Sequence, residues 1–208
     1  DEQQPSRAKA LRRFADRCRT DRRHVEQVLR LSRRLFDTLG KHLGCVPADW
    51  ELLEAAALLH DVGQLVSYKS HHKHSYHLIA HAESLPLSPR DRLLVAVISR
   101  YHRMRPPTKK HPEFAVLERE ERARVRRIAA LLRLADGLDR GHTAAVEAMK
   151  IRLMPGRLLI DVVPRLATTD LKLELWGAMR KADLLEKLLE REVVVRAAAV
   201  AETKKAAS

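Results

Sequence analysis

Residues 49–63 read DWELLEAAALLHDVG, and this segment determines how the rest of the chain must pack. The run is apolar on nearly every side, so a helix formed here has no polar face to turn toward water. We therefore predict a central, buried helix that begins at Asp49. His60 and Asp61 close the apolar run just before Gly63. A buried imidazole beside a buried carboxylate needs partners, because desolvating an unpaired charge is costly.

Other segments carry apolar residues at the spacing of amphipathic helices. Asp21 and Ser88 are typical N-cap residues, Pro89 suits a first helical turn, and Gly40 is a typical helix end. These signals predict helices over 7–19, 21–39, 75–83, 88–103, 118–138 and 142–149, with a proline-broken loop over 104–116. The first three quarters of the chain are thus predicted to be helical.

The pattern changes near residue 150. Two alternating apolar runs flank Pro155 and Gly156, which is a typical β-hairpin signal. Residues 171–190 have the spacing of an amphipathic helix, and residues 192–197 read as a returning strand. A small ββαβ unit is therefore predicted to follow the helical one.

The predicted fold class is mainly α, an all-helical bundle followed by a small ββαβ (α+β) domain. We place the helical domain at residues 1–149, the small domain at 150–200 and a disordered tail at 201–208. The chain starts at Asp1 with a polar stretch, which suggests an excised fragment of a longer protein.

Composition indicates the compartment. No run of about 18 apolar residues occurs, so no membrane partner is expected, and no signal peptide is visible. Cys18 and Cys45 share no motif, which fits a reducing environment and excludes a disulfide framework and a zinc knuckle. We predict a cytoplasmic protein.

The formal net charge of +13 has two interpretations. Arginines that simply solvate helix faces are one, and attraction to a polyanion such as polyphosphate or a nucleotide is the other. Aromatic residues make up only 4% of the chain, too few for a series of stacking platforms, which weighs against nucleic acid as the partner.

Polar residues stand where apolar ones are expected in four predicted helices. His60 ends the most apolar helix, Asp136 lies on the apolar stripe of RIAALLRLADGLDR, and His24 lies on the core-facing side of its helix. His102 ends the apolar helix that contains LLVAVIS. Each residue alone fits a hydrogen-bonded core position. Four helices that each place a His or Asp on a buried face favour a shared metal site.

These residues also carry a family resemblance. The order His24, His60-Asp61, Asp136 follows the H…HD…D pattern of HD-domain phosphohydrolases. Together, LLHDVG, HHKHSYHLI, RYHR and LLRLADGLDR resemble the C-terminal half of the exopolyphosphatase / guanosine pentaphosphate phosphohydrolase (Ppx/GppA) family over residues 6–200. Those enzymes place their phosphatase site in an N-terminal pair of actin-like ATPase-type domains, and no glycine-rich phosphate loop of that kind occurs here.

The resemblance implies two metal positions that share one carboxylate. The ligands are His24, His60, Asp61 and Asp136 for the first ion, and Asp61, His74 and His102 for the second. His60 and Asp61 are also assigned to catalysis. Imidazole and carboxylate donors suit one or two divalent transition-metal ions, Mn, Fe, Zn or Co, better than Ca. Such ions would activate a water molecule and neutralise phosphate charge.

Basic residues beside these ligands are candidates for phosphate binding. They are Lys69, His71, His72, Lys73, Arg103 and Arg140. We predict that residues 71–73 lie in a loop, with His74 at the edge of a helix that begins near Ser75. Many HD hydrolases continue the dyad as HD-x-G-K, and Gln64 takes the place of that lysine. This departure removes one candidate phosphate contact.

Two functions follow from these observations. The first is an HD-type, metal-dependent phosphohydrolase domain of a Ppx/GppA-like exopolyphosphatase or (p)ppGpp phosphohydrolase, acting on phosphate anhydride or ester bonds. The second is a non-catalytic module that binds polyphosphate or nucleotide for a larger phosphatase and contributes to dimerisation. The resemblance further implies a homodimer and missing N-terminal domains of the actin-like ATPase type.

Overall fold

The computed structural model describes residues 6–198 of the chain. Over that range the helices are α1 (Arg7–Arg17), α2 (Arg22–Leu39), α3 (Asp49–Leu59), α4 (His71–His81), α5 (Pro89–Arg100), α6 (Pro112–Ala115), α7 (Arg119–Gly137), α8 (Lys172–Met179) and α9 (Asp183–Leu189). A 3-10 turn (Val62–Leu65) follows α3, and the strands are β1 (Val146–Met154), β2 (Arg157–Pro164) and β3 (Glu192–Ala197). The predicted fold class, mainly α with a small α+β part, is confirmed.

Helix α3 lies at the centre of the bundle, as its apolar sequence predicts. It packs against α1, α2, α5 and α7, and the residues from Ala55 to Leu59 are fully buried. Asp49 begins the helix, where its carboxylate accepts a hydrogen bond from the N–H of Val46 at 2.9 Å and pairs with Arg124. A helix buried on all sides delivers the residues after its end, the His60-Asp61 dyad, into the protein interior.

The start of α4 differs from the prediction. The helix begins at His71, after Ser70 in a left-handed conformation (φ 59°), and not near Ser75. Serine is a typical N-cap, but the Ser75 hydroxyl instead accepts from the N–H of Gly63 at 2.9 Å and donates to the carbonyl of His60 at 2.6 Å. Ser75 therefore ties the middle of α4 to the turn that carries the dyad.

The small sheet has the order β1-β2-β3. β1 pairs antiparallel with β2, which confirms the hairpin predicted at Pro155 and Gly156, and Gly156 adopts the positive φ of 70° that this turn requires. β3 pairs parallel with β2, so the connection between them must cross over, and it does so through α8 and α9.

Two of the predicted helices differ from the structure, one because it is absent and one because it is divided. Residues 142–149 form no helix, because His142 and Ala144 have positive φ values of 55° and 49° and β1 begins directly afterwards. The single helix predicted over 171–190 is divided into α8 and α9. Arg133 of α7 donates to Asp183 at 3.0 Å, which holds the start of α9 against α7.

Helix α8 packs closely on α7 at two glycines. A Cβ atom at Gly177 would lie 2.5 Å from the carbonyl oxygen of Gly137, so both positions require the smallest residue. One apolar core runs through the helical bundle and the sheet, and the domain boundary near residue 150 stays a prediction. The tail predicted at 201–208 lies outside the described residues. Among residues 6–198, no helix is long and apolar enough to cross a membrane.

Candidate metal centre

Five helices bring their ends to one place in the bundle. His24 lies in the first turn of α2, which Asp21 caps by accepting from the N–H groups of Arg23 and His24. The dyad follows the end of α3, α4 begins there, a histidine follows α5, and α7 contributes an aspartate from its last turn. The side chains that meet are buried, at most 8% exposed, and they are His24, His60, Asp61, His71, His102 and Asp136.

The first group consists of His24, His60 and Asp136, whose donor atoms lie within 4.8 Å of one another. His24 Nε2 lies 3.3 Å from Asp136 Oδ1 and 3.3 Å from His60 Nε2. Asp61 Oδ2 faces the same group, 3.8 Å from His24 Nε2 and 3.6 Å from His60 Nε2. Two nitrogen and two carboxylate ligands therefore face one position.

The second group consists of Asp61, His71 and His102. Asp61 Oδ1 lies 3.0 Å from His71 Nε2 and 3.6 Å from His102 Nε2, and the two imidazole nitrogens are 3.1 Å apart. Because one carboxylate oxygen faces each group, Asp61 stands between two neighbouring sets of donors.

The hydrogen bonds of two histidines fix which ring nitrogen carries the proton. His60 Nδ1 donates to the carbonyl of Ala57 at 2.9 Å, and His102 Nδ1 donates to the carbonyl of Ser99 at 2.6 Å. A carbonyl can only accept, so Nε2 of each neutral ring presents a lone pair. Burial lowers the pKa of both side chains, which keeps them neutral. These lone pairs face carboxylate oxygens, an arrangement of acceptors that calls for a cation between them.

His24, by contrast, is protonated and positively charged. Burial lowers its pKa, but hydrogen bonds to Asp136 and Asp139 outweigh burial and raise the pKa to about 10. Burial alone would raise the pKa of Asp136, but the Lys181 ammonium and His24 outweigh burial and bring that pKa well below its usual value. A proton on His24 thus occupies the place where a metal ion would meet the same donors, and a metal ion that binds must displace it.

The donor set fits a divalent transition metal. Imidazole nitrogens suit ions such as Zn and Fe, and carboxylate oxygens suit Mn. The carboxylates of Asp61 and Asp136 also supply the compensating negative charge. Histidine ligands whose Nδ1 is held by a carbonyl or carboxylate are typical of metal sites, because the hydrogen bond orients the ring and fixes its tautomer. His24, His60 and His102 each have such a partner.

A cavity of about 240 Å³ opens onto both groups. Its lining is strongly basic and includes Arg103, Arg133, Arg140, Arg180 and Lys181. Lys181 forms an ion pair with Asp136, and the Gln64 amide donates to Asp61 Oδ2 at 2.7 Å. The cavity therefore combines a negative centre with a positive wall, which suits an anion held beside a metal ion.

The structure brings five of the six predicted metal ligands together and leaves His74 apart. His74 is half-buried on α4, and His71 stands in the group where His74 was expected. The physical reason is the earlier start of α4, which places His71 in its first turn and turns its ring toward Asp61.

Three of the six predicted phosphate-binding residues line the cavity, and three do not. His71, Arg103 and Arg140 line the cavity. His72 is buried in α4 outside that lining, and Lys69 and Lys73 are exposed. Residues 71–73 were expected in a loop, but helix α4 includes all three.

Sequence reasoning missed Asp139, His142 and Lys181. Asp139 is fully buried and accepts from His24 Nδ1 at 2.8 Å, and its place one turn beyond Asp136 in LADGLDR was a usable signal. His142 stacks on His24 with ring centroids 3.7 Å apart and shares a third possible donor group with Asp61. Lys181 lies in the turn between α8 and α9, where no local pattern indicates a site residue.

Replacing Asp139 by asparagine is expected to weaken transition-metal binding by about 10- to 100-fold, the usual effect of losing the group that orients a histidine ligand. The neutral amide holds the His24 Nδ1 proton less strongly, so the Nε2 atom of the ring becomes a weaker metal ligand. A chelator-competition titration with Zn²⁺ measures the change. Asp170→Asn, at an exposed surface position, is the control and should leave the affinity unchanged; equal affinities of Asp139→Asn and the control would contradict the role of Asp139.

The fold and the site together define a class of protein. It is a helical bundle in which buried histidines and aspartates at the helix ends lie beside a basic cavity. Residues 6–192 match the family model described as Ppx/GppA phosphatase, domain III. The match spans most of the chain, so the chain belongs to this family, and the resemblance of the four sequence motifs to Ppx/GppA proteins is confirmed.

One curated relative is similar over part of its length. It is the guanosine-5'-triphosphate,3'-diphosphate pyrophosphatase of Pseudoalteromonas translucida (strain TAC 125), 28% identical over 102 residues. The aligned segment covers 47% of this chain and 20% of the relative. The similarity therefore extends over only about a fifth of that protein.

Proposed function

We propose that the chain is an HD-type, metal-dependent phosphohydrolase domain that cleaves phosphate ester or anhydride bonds. The observation that carries the proposal is the convergence of neutral imidazole lone pairs from His60 and His102 on the carboxylates of Asp61 and Asp136, inside a basic cavity. Lone pairs and carboxylates held face to face in a buried site need a cation between them.

The proposed ligands fall into two sets around Asp61. They are His24, His60, Asp61 and Asp136 in one set, and Asp61, His71 and His102 in the other. A divalent ion there would act as a Lewis acid on a phosphoryl oxygen and lower the pKa of a water molecule. Arg103, Arg140 and Arg180 line the cavity and would bind the remaining phosphate oxygens. Gln64 holds one oxygen of Asp61, which fixes how that carboxylate is presented.

A second candidate, a non-catalytic module that binds polyphosphate or nucleotide and contributes to dimerisation, is favoured by one specific contact. The ammonium of Lys181 pairs with Asp136, so a basic side chain already neutralises one proposed ligand. In this alternative, the basic cavity holds phosphate without a metal ion. The N-terminal actin-like ATPase-type domains implied by the resemblance would then perform the hydrolysis.

Metal analysis combined with turnover distinguishes the two functions. We expect the purified chain to retain one to two equivalents of Mn, Fe, Zn or Co, and to hydrolyse bis(p-nitrophenyl) phosphate or a nucleotide. Removal of the metal with a chelator should abolish turnover, and its return should restore it. Calcium is the matched control, since it prefers oxygen ligands and should not restore turnover.

A different set of results would favour the binding module over the hydrolase. Metal-loaded chain that binds polyphosphate but turns over no phosphomonoester, diester or (p)ppGpp would contradict the hydrolase and support the binding module. Polyphosphate binding of that kind should weaken steeply with salt, because it releases counterions.

A further inference from the structure

The guanidinium of Arg133 is buried inside the helical bundle. Arg133 lies three residues before Asp136 on α7 and is 2% exposed, which is rare for an arginine. Its Nη1 atom donates to the carbonyl of Tyr101 at 3.1 Å and to the carbonyl of Met104 at 3.0 Å. Its Nη2 atom donates to Asp183 at 3.0 Å. Three of the five N–H groups of a guanidinium are therefore engaged with the protein itself.

The two carbonyl groups lie on either side of a proposed metal ligand. His102 directly follows Tyr101 and precedes Met104 by two residues. Helix α5 ends at Arg100, so the carbonyls of Tyr101 and Met104 have no N–H partner from a further helical turn. Arg133 supplies a donor to both, as basic side chains often do at helix C-termini.

The segment after His102 has few other supports. Among residues 6–198, no backbone–backbone hydrogen bond involves residues 103–107. Met104 takes a left-handed conformation with a φ of 61°, which is uncommon for a residue with a side chain. Such a conformation persists only where the surroundings hold it. The two carbonyl bonds from Arg133 fix the segment at the places where it would otherwise be free to move.

Arg133 is better suited to hold the protein than to bind phosphate. It lines the cavity, but a phosphate there would meet a guanidinium that two carbonyls and a carboxylate already engage. Its Nε atom is buried and has no hydrogen-bond partner among the described residues. A buried N–H group without a partner is costly, so the other bonds of Arg133 must keep the side chain at this position.

We propose that Arg133 is the positioning residue for His102. By fixing the turn after α5, it keeps the Nδ1 proton of His102 on the carbonyl of Ser99, 2.6 Å away, and the Nε2 atom toward Asp61. The orientation of the ring follows from these hydrogen bonds, whereas its use as a metal ligand rests on the proposed function. Lysine cannot take over this role, because one ammonium group lacks the planar fork that reaches separate acceptors.

The tautomer of His102 in the metal-free chain tests the proposal. In chain labelled with ¹⁵N-histidine, long-range ¹H–¹⁵N NMR distinguishes a ring protonated at Nδ1 from one protonated at Nε2, and His102→Gln identifies the signal. The wild-type ring should be protonated at Nδ1, and Arg133→Lys should give a mixture of both tautomers. His60 is the internal control, because its Nδ1 donates to Ala57 of α3, to which Arg133 makes no hydrogen bond.

Zn²⁺ binding provides the second measurement. Arg133→Lys should weaken the binding of an ion by Asp61, His71 and His102 by about 10- to 100-fold, the usual effect of losing a group that orients a ligand. Chelator competition measures the change. Asp183→Ala is the matched control, because it removes the bond to α9 and leaves both carbonyl bonds in place. It should keep the wild-type tautomer and affinity even where the midpoint of thermal unfolding falls.

Several outcomes would overturn the proposal. A wild-type tautomer with wild-type affinity in Arg133→Lys would show that Arg133 only stabilises the fold, and so would failure of this variant to fold. A change of the same size at His60, or in Asp183→Ala, would show a general loosening. A tautomer change confined to His102 in a chain that binds no Zn²⁺ would support the proposal and contradict the metal site. Bound metal whose affinity Arg133→Lys leaves unchanged would do the opposite.

Discussion

Replacing Asp61 by asparagine is expected to lower transition-metal affinity by more than about 100-fold, beyond the loss expected for a residue that only orients a ligand. Turnover should fall with it to the level of the metal-free chain. One oxygen of Asp61 faces His24 and His60, and the other faces His71 and His102. No other carboxylate among the described residues belongs to both sets of donors, so this single change affects both positions.

The same substitution should leave the metal-free fold intact. Asparagine has nearly the same shape as aspartate, and its amide N–H groups can donate to the histidine lone pairs that the carboxylate cannot satisfy. The free energy of unfolding without metal should therefore change little, whereas the stabilisation that added Zn²⁺ gives the wild-type chain should disappear. Thermal unfolding with and without Zn²⁺, followed by metal analysis after dialysis, measures both effects.

Asp37→Asn is the matched control, because Asp37 is exposed and pairs with Arg33 on the surface of α2. It should behave like the wild-type chain in every measurement. Retention of one tightly bound metal equivalent in Asp61→Asn would mean that the group of His24, His60 and Asp136 holds an ion by itself. That outcome would contradict the bridging role of Asp61.

The parts of the fold that local chemistry governs could be predicted from the sequence. Helix α3 is apolar on all sides, and only the centre of a bundle accommodates such a helix. Asp21 and Ser88 cap α2 and α5 with the side-chain hydrogen bonds expected of them. The turn at Pro155 and Gly156 likewise has a local cause, since glycine relieves the strain of a positive φ.

The limits of prediction in the site also have a physical cause. Ser75 has the chemistry of an N-cap, but its hydroxyl bonds to Gly63 and His60, which are distant in sequence. Helix α4 therefore begins four residues earlier than predicted, and His71 lies in the group where His74 was expected. A shift of three positions on a helix changes which side chain reaches a given point, so an error in one boundary changed a proposed ligand.

Residues that reach the site only through tertiary packing gave no signal at all. Lys181 lies opposite Asp136 because α8 packs on α7 through Gly137 and Gly177, a contact that no local pattern encodes. Trp176 of α8 reaches the cavity through the same packing.

Gly63→Ala is expected to destabilise the chain by about 3 kcal/mol or more, the upper range for an overpacked interior. A Cβ atom at this position would overlap the carbonyl oxygen of His71 and the backbone N of Ser75, and it would lie 2.8 Å from the Ser75 hydroxyl. Two of these atoms belong to the backbone of α4 and cannot rotate away. The midpoint of thermal unfolding should fall by roughly 6–12 °C in a chain of this size.

Relief of that overlap requires the start of α4 to move away from the dyad. Such a movement would carry His71 away from Asp61 and break the bonds between Ser75 and the dyad turn, so the second set of ligands should lose its metal ion first. Gly156→Ala is the control, because its positive φ of 70° is strained but open space surrounds it. It should cost only about 1–2 kcal/mol and retain all bound metal. Equal stability losses with equal metal contents in the two variants would show that α4 does not depend on close approach at Gly63.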